Sequence, residues 1–286
     1  GVAFGPRAAA VAAAAQLLER VLFASLVSLV FGHYFAALPM RLFLPAAVWS
    51  RYLQAEDPAS LAAIGLLGFA WIRARLGYTT DANRAVRRTW AAVGIVLVTV
   101  IWAVATVAAQ PAALAALSPL TAYANLRATS TSGLRIALVL LFAFGHAIPA
   151  VGSGDSLARA ATELEPPRIR GVWRTMIILT LYGGFVTVAS TFLFASLVPL
   201  DAQRVWGDVP LLGIAQHLPV PSAIGVLMTF AVVASATLLL GQAVRAGISG
   251  AERMLAQLGQ QGSVSRALTV PHARLGTLAR AIDTAA

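Results

Sequence analysis

The sequence predicts an all-α fold, a polytopic transmembrane helical bundle in which residues 1–286 form a single membrane domain. Of the 286 residues, 59% are apolar and only 11% are charged, and the mean hydropathy is +0.79, well outside the range of ordinary soluble domains. Several apolar runs approach the roughly 20 residues that a helix needs to cross a hydrocarbon core of about 30 Å. Because lipid cannot satisfy open backbone groups, runs of this length are expected to be helical.

Six apolar runs are predicted to span the membrane. They cover residues 8–37, 58–72, 90–109, 136–164, 176–198 and 222–244. The second run is the shortest, and it would span only with help from its flanks, Glu56-Asp57 and Arg73, by snorkelling or local thinning of the bilayer. The fourth run is interrupted near residues 152–154, which predicts one discontinuous helix. Residues 249–286 are predicted to form an amphipathic cytoplasmic tail.

Positive charge is distributed along the links between these runs. The formal net charge is +10, and all 21 basic residues are arginine. No aromatic-interleaved RNA motif accompanies them, so a nucleic-acid partner is not expected. Strict alternation of six spans puts fifteen arginines on one side, with Arg20 inside the first span. The other side receives Arg41, Arg51, Arg127, Arg135 and Arg204. The positive-inside rule then predicts cytoplasmic chain ends in a bacterial-type plasma (inner) membrane, with the lipid bilayer as partner.

Several kinds of chemistry have no residues to support them. Cysteine and lysine are both absent, which excludes disulfides, thiolate metal sites, a P-loop lysine and Schiff-base chemistry. His33, His217 and His272 show no metal-ligand spacing, and no nucleophile elbow or paired-carboxylate motif is present. We therefore expect no enzyme activity, no metal and no cofactor.

The chain opens with Gly1 and its first apolar run is too long for a signal peptide, so we expect a cut N-terminus.

The interruption of the fourth run is the strongest candidate site. Pro149 and the sequence Gly152-Ser153-Gly154-Asp155 break a helix at membrane depth, where each unsatisfied backbone group costs several kcal/mol. Transporters use such breaks, because unwound carbonyls hold cations and the second half-helix offers its N-terminus to an anion. The segment is predicted to bind substrate. The alternative is that both glycines permit close helix packing and that Asp155 caps a cytoplasmic helix.

Two further residues are candidates for ion or proton coupling. Glu19 lies within the first run, where a carboxylate is expensive and usually faces a cavity, an ion or a proton pathway. Arg20 points about 100° away, so a structural ion pair of either residue with another span is an equal alternative. His146 lies one turn before the break and could relay a proton, or it could simply bond to a neighbouring helix.

The residues from Phe142 to Pro199 resemble the sixth and seventh spans of amino acid-polyamine-organocation (APC) permeases. Ser153-Gly154-Asp155 stands where the family typically carries Gly-x-Glu at the break of its sixth span. The acidic, proline and basic positions of the pattern then follow as Glu163, Pro167, Arg168, Arg170 and Arg174. Phe4-Gly5-Pro6-Arg7 resembles the start of the third span, and residues 253–268 resemble the stretch after the eighth.

The resemblance implies a partial LeuT-like fold that contains only the third to eighth spans. It also implies a secondary active transporter that moves an amino acid or related small solute by symport with protons or sodium. Phe23 and Val27 occupy the hydroxyl positions of potassium-type members near Glu19, and Pro149 to Gly152 occupy a stretch that is often aromatic in amino acid permeases. Two alternatives stay open: a potassium-uptake-type cation transporter, and a truncated membrane protein that transports nothing.

Overall fold

The computed structural model describes residues 5–37, 56–78, 82–109 and 168–285, together with four single helical positions between residues 133 and 141. Within this part of the chain there are eight α-helices and one 3-10 turn, and no strand. The helices are α1 Gly5–Ala36, α2 Glu56–Arg75, α3 Ala82–Ala108, α4 Arg168–Leu197, α5 Leu200–Trp206, α6 Pro210–His217, α7 Ser222–Gln260 and α8 Ala279–Ala285, with the 3-10 turn at Arg266–Thr269.

Four of these helices are long and apolar enough to cross a membrane. The candidate spans are Val11–Ala36, Asn83–Ala108, Ile169–Leu197 and Ser222–Gln260. The all-α class and the multi-span character predicted from the sequence are therefore confirmed for the described residues. The second predicted span, 58–72, forms α2, which is long enough at about 30 Å but less apolar than the other four helices. The fourth, 136–164, lies almost entirely outside the described residues.

The last span and the predicted tail belong to one helix. We expected the span to end at Val244 and the tail to begin at residue 249, whereas α7 continues without a break to Gln260. No proline occurs between Ser222 and Gln260, so nothing interrupts the backbone ladder at Arg245. A 39-residue helix is about 58 Å long, nearly twice the hydrocarbon thickness, so its last turns extend beyond a bilayer.

The described chain divides into two compact units. Unit 1 contains α1, α2, α3 as far as Val96, the segment Val205–Leu212 and everything from Ser222 onwards. Unit 2 contains α3 from Leu97, α4, the chain to Arg204 and the segment Gly213–Pro221.

The core of unit 1 is built where α1 packs against both α2 and α7. One buried cluster joins four helices through Val27, Ala70, Val244, Ile248 and Ile282. A second cluster contains the last turns of α7 and α8, with Leu17 of α1 against it. Its buried members are Ala251, Leu255, Ala281 and Ala285. The C-terminal segment therefore packs against α1 at Leu17 and against the end of α7.

Unit 2 is much more open. Only 6% of the apolar window of α4 is buried, and residues such as Ile177, Leu181 and Val188 are exposed. A cleft of about 510 Å³ lies between the end of α3 and the middle of α4. Its lining is Val104, Val107, Ala108, Gly184, Phe185, Val188, Ala189, Phe192 and Leu193. An apolar surface of this extent suits a lipid environment.

Candidate functional site

Most of the predicted site lies outside the described residues. This applies to Gly152, Ser153, Gly154 and Asp155 at the predicted break, and to His146 one turn before it. Glu19 is described: it lies on α1 with an exposed side chain. Of the predicted site residues, Glu19 is therefore the one whose surroundings the structure describes.

The neighbour of Glu19, Arg20, is half-buried against α7. A Cβ atom on Gly250 would collide with the Nη1 atom of Arg20 and would lie 3.1 Å from its Cζ atom. One turn away, a Cβ atom on Gly247 would lie 3.0 Å from the Cβ atom of Ala24. Small residues let helix backbones approach closely in membranes, and here they also leave room for a guanidinium group.

These contacts fix the directions of the helices. Arg20 lies beside Gly250 and Ala24 beside Gly247, so α1 and α7 are antiparallel. A Cβ atom on Gly32, near the end of α1, would collide with the carbonyl oxygen of Ala59, near the start of α2. The helices α1 and α2 are therefore also antiparallel, and α2 and α7 run in the same direction.

One end of unit 1 is rich in arginine, and we call it the basic end. It contains the last turn of α2, the first turns of α3 and the part of α7 that follows Gly241. The Thr89 hydroxyl donates to Oε1 of Gln242 over 3.0 Å, which sets the level of α3 against α7. The described arginines of these segments are Arg73, Arg75, Arg84, Arg87, Arg88, Arg245 and Arg253, joined by Arg20 of α1 beside Gly250, and the carboxylates nearby are Glu19, Glu252 and Asp283.

Glu19 lies at the level of this basic end. Gly250, which contacts Arg20, follows Arg245 by five residues, or about 7.5 Å along the helix. Glu19 also falls within the candidate span Val11–Ala36, so its predicted place inside the membrane stays a prediction.

Residues that were not singled out in the sequence tie the C-terminal segment to α2. Trp71 Nε1–H donates to Asp283 Oδ1 over 2.9 Å, and the Thr277 hydroxyl donates to the carbonyl oxygen of Arg75 over 2.9 Å. Arg75 lies 5.3 Å from the centre of the Trp71 ring and 3.7 Å from Asp283 Oδ2. The two hydrogen bonds join residues that are more than 200 positions apart, so no local pattern indicates them.

Replacing Asp283 with alanine is expected to loosen the C-terminal segment. The pair with Arg75 is more than a third exposed and contributes little, so the main loss is the hydrogen bond from Trp71, about 1 kcal/mol in all. Trypsin should then cleave after Arg280 roughly fivefold faster. Asp283→Asn keeps the acceptor oxygen and should stay close to wild type, as should the exposed control Asp201→Ala. Equal cleavage rates for Asp283→Ala and wild type would show that Asp283 does not hold the C-terminal segment against α2.

In the part of the chain that the structure describes, these features define a class of protein: an all-α, multi-span membrane protein with an arginine-rich end. No protein-family model, no curated protein and no solved structure matches the chain.

Proposed function

We propose that the protein acts as a secondary active transporter of the APC permease type, which moves an amino acid or related small solute across the plasma membrane by proton or sodium symport. The supporting observation is the packing of α1 along α7. Under the resemblance, these two helices are counterparts in the inverted repeats of the fold. Binding sites of such transporters lie at the interface between the repeats.

Within this proposal, Gly152, Ser153, Gly154 and Asp155 bind the solute at the broken helix. Glu19 and His146 handle the coupling ion. The exposed Glu19 carboxylate at the basic end would accept a proton or a cation.

Transport by the protein, reconstituted in vesicles, tests the proposal. Uptake of a panel of labelled amino acids is measured under an inward proton gradient, an inward sodium gradient and no gradient. We expect uptake in one gradient arm that stops when an ionophore collapses that gradient. Glu19→Gln should abolish the ion dependence, whereas Asp201→Asn, an exposed carboxylate on α5, should leave it unchanged.

The other outcomes separate the alternatives. Potassium uptake that no amino acid inhibits would favour a cation transporter. Absence of uptake in every arm, from protein that is folded and inserted, would contradict transport.

A further inference from the structure

The basic end has more positive charge than the described carboxylates neutralise. Asp283 is near Arg75, but no described carboxylate lies within 4.0 Å of Arg73, Arg87 or Arg88. Arg87 and Arg88 extend from the first turns of α3 and are exposed. This end of unit 1 therefore offers guanidinium groups to an anion.

Two of the guanidinium groups are held near each other by the core. Ala70 packs in one cluster with Val244 and Ile248, and Arg73 follows Ala70 by one turn. Arg73 therefore lies at the level of Arg245, close enough for their positive charges to repel each other. Both side chains are half-buried, so water screens this repulsion incompletely. An anion between them would offset it.

Aromatic rings hold Arg73 at the end of α2. Its Cζ atom lies 5.8 Å from the centre of the Phe69 ring and 5.9 Å from that of Tyr78. The helix ends with Gly77 at a φ of 70°, and Tyr78 N–H donates to the Arg73 carbonyl oxygen over 3.1 Å, which brings the Tyr78 ring back towards Arg73. A guanidinium group that is stacked in this way is already ordered before it binds an anion.

The length of α7 places this cluster at the height of lipid headgroups. From Ser222 to Arg245 the helix is about 36 Å long, compared with about 30 Å for the hydrocarbon core. With Ser222 at one surface of the bilayer, Arg245 and Arg73 lie at the other, in the layer that contains phosphate groups.

We propose that the basic end binds the headgroup phosphate of an anionic phospholipid, with Arg73 and Arg245 as the inner contacts and Arg87 and Arg88 as the outer ones. Guanidinium groups bind phosphate oxygens in a bidentate manner, and arginine clusters next to a span attract anionic lipids. This site depends on insertion in the membrane and not on transport, so its test is independent of the proposed function.

Native mass spectrometry of the purified chain tests the site. The protein is titrated in detergent with phosphatidylglycerol, with phosphatidylcholine, and with phosphatidylglycerol in the presence of inorganic phosphate. The phosphate is used at about 10 mM, a large excess over a dissociation constant in the micromolar range. We expect tighter binding of phosphatidylglycerol than of phosphatidylcholine, with little competition by phosphate. Equal binding of the two lipids would overturn the proposal. Full competition by inorganic phosphate would show a site for soluble anions instead of lipid.

Arg73→Gln should weaken phosphatidylglycerol binding about tenfold, as expected for the loss of one charge-assisted contact. The matched control is Arg266→Gln, because Arg266 adjoins the region of Gly259, about 21 Å beyond Arg245 and outside the screening length. If Arg73→Gln fails to fold, the exposed pair Arg87→Gln and Arg88→Gln replaces it with the same expectation. Unchanged affinity in the folded variant, or an equal loss in Arg266→Gln, would overturn the assignment.

Discussion

Gly32→Ala is expected to lower the free energy of unfolding by about 3 kcal/mol, at the upper end for overpacking in a core. The added Cβ atom would collide with the carbonyl oxygen of Ala59 and would lie 2.8 Å from its carbonyl carbon and 3.2 Å from its Cα atom. These are helix backbone atoms, which no side-chain rotation can move. The helices α1 and α2 would have to separate along the contact that closes this side of unit 1. Thermal unfolding in detergent measures the effect.

The matched control is Gly65→Ala on α2. Nothing lies within 4 Å of a Cβ atom at Gly65, and alanine favours a helix over glycine by up to about 1 kcal/mol. We expect this variant to be at least as stable as wild type. Equal melting temperatures for Gly32→Ala and Gly65→Ala would mean that α1 and α2 do not make this close approach.

Asp155→Asn is expected to abolish uptake if the proposed transport function is right. Asparagine keeps the size of the side chain and its ability to form hydrogen bonds but removes the negative charge. Without that charge, the side chain can no longer form a charge-assisted contact with a positively charged group of the solute at the predicted break. Labelled-solute uptake into vesicles, with the amount of inserted protein measured in parallel, gives the result.

Asp208→Asn provides the control for Asp155→Asn. Asp208 is an exposed carboxylate in the link between α5 and α6, away from the predicted break in sequence. Solute uptake by the Asp208→Asn variant should match that of wild type. Unchanged affinity and rate in Asp155→Asn would remove residues 152–155 as the solute site, while the membrane bundle itself would be unaffected by that result.

Hydropathy predicted the membrane-crossing cores better than the helix ends. The runs 90–109 and 176–198 correspond to helices that begin at Ala82 and Arg168. Both helices start in arginine-rich turns, because arginine is a good helix former although it is poor in lipid. Hydropathy reports where lipid can surround a helix and does not report where the hydrogen-bond ladder ends. For the same reason the predicted boundary at residue 249 lies inside α7.

The contacts that define the site could not be predicted, because they depend on which helix lies beside which. Gly250 leaves room for the Arg20 side chain, and this role depends on how α1 packs against α7. The level of Glu19 along the bundle depends on that same contact. Trp71 and Asp283 are 212 residues apart and carry no shared pattern. The arginine asymmetry, in contrast, was visible at once, because charge in the links needs no knowledge of packing.

The orientation of the bundle can be measured directly, because the chain contains no cysteine and single cysteines can be introduced into the natural sequence. Ser263→Cys places an exposed thiol beyond the basic end of α7. Asp208→Cys places one near the opposite end, where the Leu211 backbone hydrogen-bonds the Tyr34 side chain near the end of α1. A membrane-impermeant maleimide should label Asp208→Cys in intact cells and Ser263→Cys only after permeabilisation. Labelling of both sites, or of Ser263→Cys alone, in intact cells would contradict a membrane bundle with a cytoplasmic basic end.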